Sequence, residues 1–212
     1  MKKKTWFFFD VGETLIDETS SYDHYFELCT NELKKASITI SPKEYRALIE
    51  EQYAKNGTRP LYTIWKSFNT GLPQPKWEHY NEKLYDGVLP TLSLLKKDYH
   101  LGIIANQSKN LDLRLKNLDI DRYFDLIISS SDVGIKKPDA KIFELALKKA
   151  SIDSHHAVYV GDRVDNDIIP AKQLGFITVR IKNGLGKRHK EDARYPSDYT
   201  IEVINELLDL SF

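Results

Sequence analysis

Five short apolar runs, each ending against polar residues, constrain the fold of this chain more than any other feature. They are TWFFF at 5–9, LGIIA at 101–105, DLIIS at 125–129, AVYVG at 157–161 and FITVRI at 176–181. Runs that are apolar on both faces, and rich in β-branched or aromatic residues, are typical of parallel strands covered by helices; a strand with one wet face would alternate. Helical patterns separate the last four runs. Residues 109–118 bring Leu111, Leu115 and Leu118 to one face, and residues 139–150 do the same with Ile142, Phe143, Ala146, Leu147 and Ala150. NDIIPAKQLG follows the fourth run, with Gly175 placed to end a helix. Strands alternating with helices predict an α/β fold with a doubly wound, Rossmann-like parallel sheet.

The stretch from 17 to 88 breaks this rhythm: it holds no strand pattern and several helical ones. In SPKE at 41–44, Ser41 is a natural N-cap, Pro42 fits the first helical position and Glu44 completes a capping box. LYTIWKSF at 61–68 and KWEHYNEKLY at 76–85 read as short aromatic-rich helices, and the tail IEVINELLDL as a closing amphipathic helix. The expectation is a core built from residues 1–16 and 89–212, with an all-helical cap, residues 17–88, inserted between strands one and two. A chain of 212 residues is long enough for both.

Lys plus Arg and Asp plus Glu both number 31, so no net field recruits nucleic acid or an anionic membrane. The lone Cys29 excludes an internal disulfide and suits a reducing compartment, and a cytoplasmic protein is expected. No run approaches the length of a membrane span. Lys2, Lys3 and Lys4 before TWFFF mimic a signal peptide, but the apolar stretch is too short and stops at Asp10. Nothing in the sequence separates a monomer from a homodimer.

In open α/β sheets ligands bind beyond the carboxyl ends of the strands. Strand one delivers Asp10 and Gly12 there; strand two delivers Asn106, Gln107 and Ser108. Strand three leads through Ser130 and Ser131 to GIKKPD, with Lys136 and Lys137, and strand four delivers Asp162 and Asp167. Carboxylates gathered to meet a phosphate dianion need a cation, and Mg²⁺ is commonly held by one or two carboxylates, waters and phosphate oxygens. A carboxylate is also a competent nucleophile toward phosphorus, and a nearby lysine offsets the gathered charge. The set suits phosphoryl transfer.

FFFDVGETL, LGIIANQ, GIKKPDAKIF and VYVGDRVDNDIIPAKQLGF, in that order, resemble the four motifs of the haloacid dehalogenase superfamily of phosphatases and related hydrolases. The resemblance covers nearly the whole chain and accounts for the helical insertion as the family's cap. It implies that Asp10 attacks phosphorus and binds Mg²⁺, that the Gly12 carbonyl is a second ligand, and that Asp162 binds the metal with Asp167 orienting that shell. It further implies that Lys137 balances charge, that Asn106, with Gln107 beside it, contacts the phosphoryl group through its backbone or side chain, and that the substrate is a small phosphorylated metabolite.

Two positions depart from the pattern. Most phosphatases of the family carry an aspartate two residues after the nucleophile, which protonates the leaving oxygen and later activates water; this chain has Gly12. The hydroxyl residue of motif two is Ala105 here, with Ser108 three residues on. Glu13 and Ser108 are the candidates for compensation. The alternative to an active phosphatase is a catalytically impaired relative that binds metal and phosphate as a sensor or interaction partner. Dehalogenase chemistry is disfavoured by GDRVDND, since dehalogenases lack the Gly-Asp pair. Imine-forming phosphonate hydrolysis would need a cap lysine, with Lys34, Lys35, Lys43, Lys55 and Lys66 available by location only. Tyr22 and His24 are placed to face substrate. His155 and His156, without a partner at metal spacing, read as surface residues, GKRHK at 186–190 as a solvated loop, and Cys29 as packing. GLGK at 184–187 is too short for a P-loop.

Overall fold

The computed structural model describes residues 5–212; Lys2, Lys3 and Lys4 lie outside the described residues. Six parallel strands form the sheet: β1 (Trp6–Phe9), β4 (His100–Ala105), β5 (Leu126–Ser129), β6 (Ala157–Gly161), β7 (Ile177–Ile181) and β8 (Tyr199–Ile201), in the order β5-β4-β1-β6-β7-β8. The five predicted strands are present, and β8 extends the edge. Alternate side chains of β1 feed opposite faces: Phe7 and Phe9 join one core with Leu101, Ile103 and Val158, whereas Trp6 and Phe8 join another with Ile142, Phe143 and Tyr159. Burial on both sides explains why the run reads as continuously apolar.

Helix α4 (Val88–Asp98) and α5 (Leu111–Asn117) contribute to the first core, α7 (Ala140–Ala150) and α8 (Ile169–Gln173) to the second. The short α6 (Ser130–Val133) follows β5 directly. A π-helical turn over Val164–Ile168 precedes α8, and Gly175, at φ +87°, closes the segment as its sequence suggests. The tail forms a 3₁₀ turn over Ile204–Asp209 instead of the predicted amphipathic α-helix.

The inserted stretch contains α1 (Thr19–Lys34), α2 (Pro42–Ala54) and α3 (Pro60–Ser67), with their own core of Tyr25, Phe26, Cys29, Tyr45 and Trp65 among others. Cys29 is buried there as packing. Two expectations are corrected. The stretch is not free of strand, because β2 (Ile16–Asp17) and β3 (Lys83–Leu84) pair antiparallel where the chain leaves for the helices and returns. Residues 76–85 are not helical; Pro73 and Pro75 precede an irregular path that lays Trp77 against Tyr22 and Tyr25 of α1, with ring centroids 4.8 and 5.5 Å apart. Among the described residues no helix is long and apolar enough to cross a membrane.

Candidate active site

Strand order reverses at β1, which lies between β4 and β6, and its carboxyl end faces the crevice where α/β sheets bind ligands. Asp10 follows Phe9 and is tied down by its own N–H, which donates to the Val160 carbonyl at 2.9 Å. Asp162 follows β6. The π-helical turn returns Asp167 to the same place, where its Oδ2 accepts the Arg163 N–H at 3.0 Å. That return requires Gly161: a methyl group there would lie 2.7 Å from the Asp167 side chain. Carboxylate oxygens of Asp10, Asp162 and Asp167 then lie within 4.8 Å of one another.

Lys137 reaches this cluster from the loop after α6. Its ammonium lies 2.8 Å from Asp10 and 2.5 Å from Asp167, and donates to the Tyr159 hydroxyl at 2.8 Å. The Asn106 amide clamps its main chain, accepting the Lys137 N–H at 2.8 Å and donating to the Lys137 carbonyl at 2.9 Å. The Asn106 side chain is thus engaged, and only its main chain is left for an incoming phosphoryl group. Gln107 accepts from Arg114 at 2.5 Å and lines the cavity. Ser108 is hydrogen-bonded to His79 at 3.1 Å and borders a neighbouring cavity, so it does not replace the hydroxyl missing at the buried Ala105.

Burial, the Asp167 and Asp10 charges and Glu13 push the Asp162 carboxyl well above its usual range. Burial also raises Asp10, with Lys137 opposing and Asp167 adding to the rise. Burial disfavours the Lys137 ammonium, but Asp10 and Asp167 outweigh it and hold its pKa above the ordinary lysine value. Three carboxylates against one buried ammonium therefore leave negative charge uncompensated, and a divalent cation fits that donor set.

The chain turns back on itself after β1. The Glu13 N–H donates to the Ile16 carbonyl at 2.8 Å and the Ile16 N–H to Val11 at 2.9 Å, which returns Glu18 to the space over Gly12. Glu18 is buried, and burial, then Glu13, Glu82 and Asp10, raise its carboxyl to about 8 against the pull of Arg114. Glu13 is raised by burial to about 7, although its carboxylate takes the Tyr85 hydroxyl. Both line the cavity of about 140 Å³ that holds Asp10, Asn106, Lys137 and Asp162.

Sequence reasoning missed Glu18, Tyr159, Arg163 and the 184–186 loop. A methyl group at Gly186 would lie 2.0 Å from Asp162, and one at Gly184 1.9 Å from Glu13, so this loop closes over the site. GKRHK is accordingly not simply solvated: Gly186 and His189 are buried. The signal for Tyr159 was a lone hydroxyl within an otherwise aliphatic strand. Tyr22 lines the cavity, whereas His24 stacks on Tyr80 outside it. The lysines considered for imine chemistry are exposed and do not line it. His155 and His156 do have a partner at metal distance, the exposed Asp153, but they precede β6 at the opposite end of the sheet.

Residues 7–181 match the haloacid dehalogenase-like hydrolase family. A glyceraldehyde 3-phosphate phosphatase of Methanocaldococcus jannaschii is 47% identical over 97 residues, 46% of this chain and 42% of that protein. One from Pyrococcus abyssi is 31% identical over 95% of this chain and 91% of its own length. The pyrophosphatase PpaX of Bacillus velezensis is 28% identical over 99% and 97%. Among solved structures, a HAD phosphatase from Thermococcus onnurineus superposes with a TM-score of 0.69 at 26% identity, over 97% of this chain and 96% of that one. With four motifs converging at one sheet edge and a match spanning most of its length, the chain belongs to the haloacid dehalogenase-like hydrolases.

Proposed function

We propose that this protein is a cytoplasmic, Mg²⁺-dependent phosphatase of small phosphorylated metabolites that works through an aspartyl phosphate on Asp10. The observation that carries the reading is the convergence of Asp10, Asp162, Asp167 and Lys137 in one buried cavity, in a chain whose relatives include named phosphatases. Asp10, the Gly12 carbonyl and Asp162 would hold Mg²⁺, with Asp167 orienting that shell; bound there, the metal would neutralise charge on the phosphoryl oxygens.

The chain's own residues do the rest. An Asp10 carboxylate oxygen forms a bond to phosphorus as the bond to the leaving oxygen breaks, and water then releases phosphate and restores Asp10. Lys137, fixed by Asp10, Asp167 and Tyr159, offsets charge on the transferring group without a change in its own protonation. The 184–186 loop and Tyr22 cover the cavity and limit water.

The test is turnover of p-nitrophenyl phosphate, glyceraldehyde 3-phosphate and pyrophosphate with Mg²⁺. Asp10→Asn should lower turnover by more than about 10³-fold, and chelation with EDTA should abolish it reversibly. Turnover undiminished in Asp10→Asn would overturn the mechanism. The impaired-relative reading rests on Gly12 and Ala105, and predicts metal binding without turnover of any of these compounds.

A further inference from the structure

The geometry points to Glu18 as the general acid and base of this site, standing in space where a side chain at position 12 would otherwise stand. The inference rests on the proposed phosphatase reading and adds to it the residue that moves the proton.

The first observation is steric. A methyl group at Gly12 would lie 2.4 Å from Glu18 Oε2, 2.6 Å from its Cδ and 2.8 Å from its Oε1. The Glu18 carboxyl therefore fills the volume that any residue at 12 would need. Gly12 and Glu18 are one arrangement; a larger residue at 12 evicts the glutamate.

The second concerns what Glu18 does not do. It stands immediately before α1, whose Thr19 N–H is taken by Asp17 Oδ1 at 2.9 Å, and it makes no cap hydrogen bond of its own. It is 7% exposed, and its Oε1 is buried with no hydrogen-bond partner. The nearest guanidinium nitrogen, from Arg114, is 4.0 Å away, and Arg114 is already committed to Glu82 at 2.9 and 2.5 Å and to Gln107 at 2.5 Å. A buried carboxyl oxygen left without a partner is costly, and such groups are often kept for chemistry.

The third is position. Glu18 borders both the cavity holding Asp10 and Lys137 and a second one of about 380 Å³ lined by Leu61, Trp77, His79 and Ser108. A phosphoryl group at Asp10 with its leaving group in the second cavity places the bond to be broken beside Glu18. Glu13, the rival, is held by the Tyr85 hydroxyl and packed at Gly184.

In the first half-reaction Asp10 bonds to phosphorus, the bond from phosphorus to the leaving oxygen breaks, and that oxygen takes the Glu18 proton. In the second, water attacks phosphorus, gives its proton to Glu18, and the bond from Asp10 to phosphorus breaks. Glu18 ends as it began.

The experiment compares wild type, Glu18→Gln and Asp10→Asn on glyceraldehyde 3-phosphate and p-nitrophenyl phosphate at saturating Mg²⁺. Glu18→Gln should lose about 10²–10⁴-fold on the alkyl phosphate, whose leaving group needs the proton. On p-nitrophenyl phosphate it should give a burst of about one nitrophenolate per site and a phosphorylated enzyme visible by intact mass, because hydrolysis is then slowed. Glu18→Ala with Gly12→Asp, which returns a carboxyl to the vacated space, should recover part of the alkyl-phosphate activity even if Glu18→Gln folds poorly. Equal losses on both substrates without a burst, or full activity in Glu18→Gln, would overturn the assignment while leaving Asp10 intact. Activity retained in Asp10→Asn would instead bring down the nucleophile, and Glu18 with it.

Discussion

Lys137 is the residue on which the site's charge balance turns. It is 3% exposed, and its ammonium is shared by Asp10 and Asp167. Removing one partner of a buried ion pair leaves the other desolvated and uncompensated, at a cost of about 3–5 kcal/mol. Lys137→Met should lower stability in urea by that amount in metal-free buffer, and saturating Mg²⁺ should recover part of the loss; an unchanged midpoint would show that the acids are not held by this lysine. That Lys137, Asp10, Asp162 and Asp167 would meet was legible because each lies in a recognisable motif beyond the carboxyl end of a strand. Glu18 was not. Its role depends on a turn that folds residues 11–16 back on themselves, and no linear spacing announces that a glutamate six residues downstream will fill the gap left by a glycine. Ser108 shows the reverse: its position offered a replacement hydroxyl, and its side chain is engaged by His79; the Asn106 side chain is held by the Lys137 main chain, which leaves the backbone contact the sequence also allowed.

At the scale of elements, the runs whose pattern had a single physical cause were readable. The five core strands are apolar because both of their faces are buried, so the pattern and its cause coincide. β2 and β3 have two residues each and β8 three, too few for a pattern to show. Residues 76–85 misled for a physical reason: Trp77 and Tyr80 are spaced to meet successive parts of α1, Trp77 edge-on to Tyr22 and Tyr80 stacked on His24, so the spacing imitates a helix. Capping chemistry was the most dependable local signal. Ser41 Oγ accepts the Glu44 N–H at 3.2 Å while Glu44 accepts the Ser41 N–H at 2.8 Å, closing the predicted box on α2. Ser41→Ala should therefore destabilise α2 by about 1 kcal/mol, read as faster amide exchange in that helix, with turnover unchanged. Unaltered exchange there would mean that tertiary contacts alone fix the start of α2.

For the whole molecule, the buried acids make stability depend on pH in an unusual direction. Folding raises Glu13 from 4.5 to about 7 and Glu18 from 4.5 to about 8, chiefly by burial. Between about pH 5 and 7 the folded state thus holds protons that the unfolded chain has lost, and stability falls as pH rises, by up to about 1.4 kcal/mol per pH unit for each group. The buried His189 opposes this on the acid side. Burial lowers it from 6.5 to about 4, so it stays neutral in the fold while the unfolded chain takes a proton below pH 6.5, and stability falls as pH drops. Glu13 and Glu18, with Asp10 and Asp162 also raised by burial, outweigh the one imidazole and put the balance on the descending limb above about pH 5. The metal-free protein should accordingly be most stable near that pH and weaken steadily toward pH 8, as measured by urea midpoints across the range. Glu18→Gln cannot ionise, so it should flatten the limb by that one group's share; Mg²⁺ should flatten it further by favouring the ionised acids around Asp10. A metal-free midpoint that is level or rising from pH 5 to 8 would show that the acids at this sheet edge are solvated and ionised in the fold, contrary to their burial.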